Sequence, residues 1–168
     1  MEVRESIFKR RSVRKYKDIK VSKEIIQDLL ECAMAAPSAC NKKPWEFYVF
    51  ENEEMLEKIK TVSRFAKFNS PLCIMVAGNT DYTLTKEPND FWIQDCSAAI
   101  ENIMLCATSH NLGTCWCGMY PMQGPVKRAR EILNLGENII PLGLIHIGYS
   151  DQELEARTQY DETRVHIY

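Results

Sequence analysis

Apolar residues recur at helix and strand spacings along most of the chain, and this pattern alone predicts an order of elements. Val3, Ile7 and Phe8 have helical spacing, which predicts a short first helix over residues 2–10. Ser22 fits an N-cap, and Ile25, Ile26, Leu29, Leu30, Ala33 and Met34 after it form a stripe that stops before Pro37. A stripe of this kind faces a core. Trp45 to Phe50 reads as an aromatic-rich strand. Asn52 can cap the next helix, with Met55, Leu56, Ile59 and Val62 on its apolar face. Asn69-Ser70-Pro71 breaks that helix, and Leu72 to Ala77 is an apolar run short enough for a buried strand.

Thr80 to Asn89, with Pro88, is expected to be a mobile polar connection. Asp90 to His110 is the longest helical candidate, its face formed by Ile93, Cys96, Ala99, Ile100, Ile103, Met104 and Ala107. Small residues Ser97, Ala98 and Ala99 permit close contact, so this helix is expected at the centre, against a sheet or a second subunit. Gly113 sits where a left-handed C-cap belongs. Cys115 to Tyr120 reads as a strand closed by Pro121, and Val126 to Leu135 as an amphipathic helix ended by Gly136. Ile139 to Tyr149 is strand-like, interrupted by Pro141 and two glycines. The tail from Asp151 is polar until Val165-His166-Ile167-Tyr168, an apolar end suited to docking on a neighbouring subunit. Helices and strands do not alternate strictly, which favours an α+β layer over a doubly wound parallel sheet.

Composition narrows the function classes. A chain of 168 residues with no linker, repeat or low-complexity tract is expected to be one domain over residues 1–168. A net charge of −2 argues against a general nucleic-acid binder. No apolar run reaches transmembrane length, and the charged start Met1-Glu2-Val3-Arg4-Glu5 is not a signal peptide. Seven cysteines without a Cys-x-x-Cys pair suggest a reducing, cytoplasmic setting, with most thiols serving as small buried hydrophobes. Dinucleotide-binding, P-loop and nucleophile-elbow glycine motifs are all absent. His110, His146 and His166 have no ligand spacing to one another, and Cys115-x-Cys117 does not complete a zinc site, so no metal is expected. Lys58, Lys60, Lys127, Arg128 and Arg130 read as solvated helix surface.

Against this background Arg10-Arg11-Ser12-Val13-Arg14-Lys15-Tyr16 stands out as a concentration of fork-shaped donors. Such a segment suits a phosphate, which Arg binds bidentately; taken alone it could equally be a solvated basic face. Three further segments follow it in order: Pro37-Ser38-Ala39-Cys40-Asn41-Lys42-Lys43-Pro44-Trp45, Gly113-Thr114-Cys115-Trp116-Cys117-Gly118, and Pro141 to Tyr149. Together, over nearly the whole chain, they resemble the nitroreductase family of flavin mononucleotide (FMN) enzymes.

The resemblance implies a central, mostly antiparallel sheet packed by helices, a long central helix, and flavin pockets built by two chains of a homodimer. It assigns Arg10, Ser12 and Arg14 to the FMN phosphate, ribityl chain and ring edge, with Arg11 nearer the phosphate. Pro37, Ser38, Ala39 and Asn41 would lie against the ring from the partner subunit. Ala39 lacks the family's hydroxyl there, and Lys43 replaces its usual Gln. Gly118, with Cys117 before it, would bring a backbone N–H to the hydride-accepting N5 atom. Arg157 matches the first basic position of a C-terminal phosphate clamp, and Gln159 replaces the second. Arg64 and Lys67 precede the second strand, where some family members place a ring donor; they stay outside the expected site.

The implied activity is FMN-dependent oxidation of NADH or NADPH. Hydride would pass through flavin N5 to a small electron-poor acceptor, a nitroaromatic or quinone, in ping-pong fashion, with no catalytic side chain required. Reductive dehalogenation or flavin fragmentation on the same cofactor is an alternative. A non-catalytic anion-binding module using Arg4 to Lys15 is another, weakened by the net charge and the lack of interleaved aromatics for base stacking. Neither a nucleic acid nor a membrane is expected as a partner.

Overall fold

The computed structural model describes residues 1–85 and 90–168, so the expected mobile connection over 80–89 lies partly outside the described residues. The elements are α1 (Val3–Lys9), α2 (Lys23–Met34), β1 (Trp45–Phe50), α3 (Glu53–Lys60), β2 (Leu72–Asn79), α4 (Trp92–Ser109), β3 (Leu112–Gly118), α5 (Gln123–Leu133) and β4 (Ile139–Tyr149). Short 3-10 turns occur at Ala39–Asn41, Thr80–Tyr82 and Glu162–Arg164. The strands form one antiparallel sheet in the order β1-β2-β4-β3, the α+β arrangement expected. The central strand β2 is buried along its whole length, which is why it reads as an unbroken apolar run rather than an alternating one. Both expected N-caps form: Ser22 Oγ accepts the Ile25 N–H at 3.4 Å, and Asn52 Oδ1 accepts that of Met55 at 3.2 Å.

Helix α4, 18 residues long, spans about 27 Å and packs against both α2 and the sheet. Trp92, Cys96, Ala99, Ile100, Ile103 and Ala107 on its inner face share a core with Leu29 and Ala33 of α2 and with Ile74, Val76, Ile145 and Ile147 of the sheet. Gly78 leaves room for the Trp92 ring, since a Cβ there would lie 2.3 Å from Cε3. A second cluster unites α3 and α5 with Cys73, Met75 and Leu144 of the sheet. Helices therefore sandwich the sheet.

Several local expectations are corrected. Gly113 is not a C-cap; Asn111 takes the left-handed conformation after α4 (φ 58°), and Asn134 (φ 50°) rather than Gly136 ends α5. Asn tolerates that region because its short polar side chain bonds locally. Gly113 instead makes space for Val13, whose Cγ2 would meet a Cβ there at 2.5 Å. Strand β3 begins at Leu112, paired with Tyr149, and ends at Gly118 opposite Gly143 instead of continuing to Tyr120. Beyond it the N–H groups of Met119 and Tyr120 both donate to Leu142 O, at 2.8 and 3.2 Å. A bulge frees that carbonyl: Val76 pairs with Gly143 and Ala77 with Pro141, so β4 passes Pro141 without breaking. Lys60, expected to be solvated, is buried and ion-paired with Glu57 at 3.2 Å. Met34, expected in the α2 core stripe, is exposed, as are Val3 and Ile7 of α1.

Candidate functional site

The basic segment follows α1 and runs beside β3. Ser12 forms a parallel bridge with Thr114, the Val13 N–H donates to Thr114 O at 2.8 Å, and Tyr16 bridges Ser150. Val13 and Tyr16 are the buried anchors, three residues apart, and they leave Arg14 and Lys15 exposed between them. The Tyr16 hydroxyl donates to Val13 O at 2.6 Å, and burial pushes its phenol pKa up, so it stays a neutral donor. Gln152 Oε1 accepts the backbone N–H groups of Arg14 and Lys15, at 2.8 and 3.0 Å. Alternation of anchor and cation thus fixes the backbone, while Arg14 stays exposed with its guanidinium donating to Ser12 O at 3.3 Å.

Arg14 lines a cavity of about 530 Å³. Arg64 and Lys67 add two further cations, Phe65, Phe68, Trp116 and Met122 supply apolar walls, and Cys117 and Gly118 border it at the end of β3. A Cβ built on Gly118 would meet nothing within 4 Å, so the backbone edge there is unobstructed. Cations around apolar walls and an open peptide edge fit a flat, negatively charged ring system. A larger cavity of about 880 Å³, bordered by Lys20, Lys60, Asp18 and Glu57, contains none of the expected residues and mixes charges of both signs.

The remaining expected residues lie elsewhere in the single chain. Arg10 Nε stands 3.5 Å from Glu101 of α4. Arg11 donates to the Glu155 carbonyl of the tail and lines a small cavity of about 160 Å³ beside Val13 and Gly113. Arg157 donates its N–H to Phe8 O at 3.1 Å and shares a separate cavity of about 540 Å³ with Arg4, Phe8 and Tyr160. Pro37, Ser38, Ala39 and Asn41 form a loop anchored at the start of α4, where the Ala39 N–H donates to Asp95 Oδ1 at 2.9 Å. Ser38 Oγ accepts the Lys43 N–H at 3.0 Å, and Cys40, Asn41 and Lys43 all have left-handed backbones (φ 48°, 54° and 51°). Such conformations cost a non-glycine residue energy and persist where surrounding contacts enforce them. None of these loop residues lines the Arg14 cavity.

Arg64 and Lys67 are the residues that sequence reasoning left out. Their local pattern is that of solvated charge, and only the irregular course of residues 61–70 between α3 and β2 turns them to the cavity. Desolvation raises the Asp95 carboxyl above its ordinary range, against the Ala39 hydrogen bond that lowers it. Cys117 is held protonated by its contact with the Cys115 sulfur and by burial. It also lies 3.4 Å from the Phe65 carbonyl, so its one S–H proton has two competing acceptors. Below the sheet surface, His146 Nδ1 meets Ser70 Oγ at 2.8 Å and Cys73 Sγ at 3.3 Å, while its Nε2 is buried with no partner. Burial lowers its pKa to about 4, leaving a neutral imidazole at neutral pH.

Comparison with known proteins places this geometry in context. The model of the Nitroreductase family matches residues 7–64 and 57–149. A protein of Methanothermobacter thermautotrophicus, named as a candidate NADH dehydrogenase/NAD(P)H nitroreductase, is 41% identical over 99% of this chain and 87% of its own length. The crystal structure of a candidate NADH oxidase from Clostridium acetobutylicum superposes with a TM-score of 0.91 at 40% identity, covering 96% of this chain and 98% of that one. An FMN-dependent nitroreductase from Clostridium difficile R20291 superposes with a TM-score of 0.87 at 33% identity, covering 96% of each chain.

Proposed function

The chain belongs to the nitroreductase family, and on that premise we propose that it is an FMN-dependent oxidoreductase that transfers hydride from NADH or NADPH to a small electron-poor acceptor, such as a nitroaromatic or quinone. The observation that carries this reading is the Arg14 cavity, with three cations, aromatic walls and the unobstructed Gly118 backbone. Bound FMN would supply the two-electron chemistry, accepting hydride at N5 and returning it to the acceptor.

The protein's part is to bind, orient and hold charge. Arg14, Arg64 and Lys67 would stabilise negative charge at the edge of the ring system, where a cation in a partly desolvated wall acts more strongly than in water. Gly118 permits close backbone approach, and protonated Cys117 serves as a small wall rather than a nucleophile. Arg10, Arg11, Ser12 and Arg157 would hold the phosphate end, which requires Arg10 to turn from Glu101.

Residues 1–168 act as one domain within a homodimer, and Pro37, Ser38, Ala39 and Asn41 close each site from the second copy. Support comes from their separation from the Arg14 cavity within one chain, and from the exposed apolar residues Val3, Ile7, Met34 and Ile167, which a second copy would cover. A single stacking face that serves donor and acceptor in turn gives ping-pong kinetics. Initial rates measured with FMN-loaded protein over a grid of NADH and quinone concentrations test this, parallel double-reciprocal lines being expected. Intersecting lines would refute the shared face, and failure to take up FMN would refute the cofactor itself.

A further inference from the structure

Helices α2 and α4 pack antiparallel, so that Cys32 O accepts from Asn102 Nδ2 at 2.9 Å while Asp28 meets Cys106 and His110. His110 Nε2 lies 2.6 Å, and Cys106 Sγ 3.4 Å, from the same Asp28 carboxylate oxygen. The three ligand-type atoms lie within 4.8 Å of one another. We propose that Asp28, Cys106 and His110, with solvent as the fourth donor, form a site for one thiophilic divalent cation of the Zn²⁺ class per chain.

The construction is simple. Asp28 lies midway along α2, Cys106 lies in the last turn of α4 and His110 is its C-cap, so the packing of the two helices brings the three side chains together. Imidazole, thiolate and carboxylate are the donors zinc takes. Tetrahedral bonds of the usual zinc lengths set neighbouring donor atoms about 3.3–3.8 Å apart, against the 2.6 and 3.4 Å that separate His110 Nε2 and Cys106 Sγ from the Asp28 oxygen. Side chains of Asp28 and His110 remain 47% and 33% exposed, which leaves a route of entry from solvent.

Binding would exchange the Cys106 thiol proton for the metal ion, the proton passing to solvent with no change in oxidation state. The ion would then tie α2 to the end of α4, just before the Asn111 turn into β3. None of the three donors lines the Arg14 cavity, so this site stands apart from the flavin reading. No local pattern hints at it, because Asp28 is separated from Cys106 and His110 by 78 and 82 positions.

The test uses untagged full-length protein, reduced and stripped with a chelator, titrated with Zn²⁺ alone by calorimetry and with Co²⁺ alone by absorption. Expected are one ion per chain, a thiolate-to-cobalt charge-transfer band with tetrahedral d–d bands, proton release in weak buffer, and a higher Tm. Cys106→Ser and His110→Asn should each weaken Zn²⁺ binding at least tenfold, whereas Cys40→Ser, at an exposed thiol, should leave it unchanged. Absence of binding at micromolar Zn²⁺, or wild-type affinity in both variants, overturns the proposal. Should Cys106→Ser fail to fold, His110→Asn at its partly exposed position decides the matter.

Discussion

Gly113→Ala couples the packing of the sheet to the cation segment. A Cβ at position 113 would stand 2.5, 2.8 and 3.0 Å from Val13 Cγ2, Cβ and Cγ1. Val13 is 4% exposed and β-branched, so it can neither turn into solvent nor change rotamer cheaply. Relief to an ordinary contact of 3.4 Å requires a displacement of about 1 Å. Overpacking of this kind costs about 1–3 kcal/mol, and losing the Val13 N–H to Thr114 O bond adds about 1 kcal/mol. The expected loss is therefore about 2–4 kcal/mol in urea unfolding, read from the midpoint at unchanged m. Because Arg14 follows Val13 directly, the same shift moves its guanidinium. Loss of one charged hydrogen bond, about 1.5–3 kcal/mol, corresponds to an FMN Kd raised about tenfold to a hundredfold. A Gly113→Ala protein with wild-type stability and wild-type FMN affinity would refute the claim that Val13 holds this segment in register.

Gly118→Ala should separate the two effects: with nothing within 4 Å of its new Cβ, stability by urea unfolding stays equal or rises by up to about 1 kcal/mol, while FMN affinity falls at least tenfold, and unchanged affinity would count against close approach of the ring. Acidification should expose the buried His146. Its folded pKa of about 4 lies below the unfolded value of 6.5, so the unfolded chain binds the extra proton and stability is lost as pH falls from 6.5 to 4. The difference, 6.5 − 4 = 2.5 units, amounts to about 3 kcal/mol; denaturation at several pH values should lose that slope in His146→Gln, and an NMR titration midpoint near 6.5 would contradict it. Asp95→Ala should cost about 1–2 kcal/mol in thermal unfolding, through the lost Ala39 contact and the lost negative charge in the first turn of α4, whereas Asp95→Asn, which keeps an acceptor, should cost less. Equal losses in the two variants would argue against the hydrogen bond.

Much of the architecture was legible because it follows from periodicity. The α2 stripe, both side-chain caps, β1, and the long apolar α4 were all readable, since burial imposes spacing on sequence. Helix ends were less so: Gly113 and Gly136 looked like stop signals, but Asn111 and Asn134 took the left-handed positions, and Gly113 serves side-chain packing instead. Exposure of Met34, Val3 and Ile7 was hidden as well, because an apolar residue reads the same whether it faces a core or solvent. Site residues fall into the same two groups. Arg14, Cys117 and Gly118 meet because one strand pairing brings them together, while Arg64 and Lys67 reach the cavity through an irregular stretch that carries no period. Convergence of Asp28 with Cys106 and His110 depends on tertiary packing, which no local pattern records.

Anaerobic absorption spectroscopy of the protein after incubation with FMN and desalting tests the cofactor assignment most directly. One FMN retained per chain, with a yellow band that bleaches on adding NADH or NADPH and returns on adding a quinone, is the result expected. A colourless protein after desalting, or bound FMN that neither nicotinamide can bleach, would contradict it.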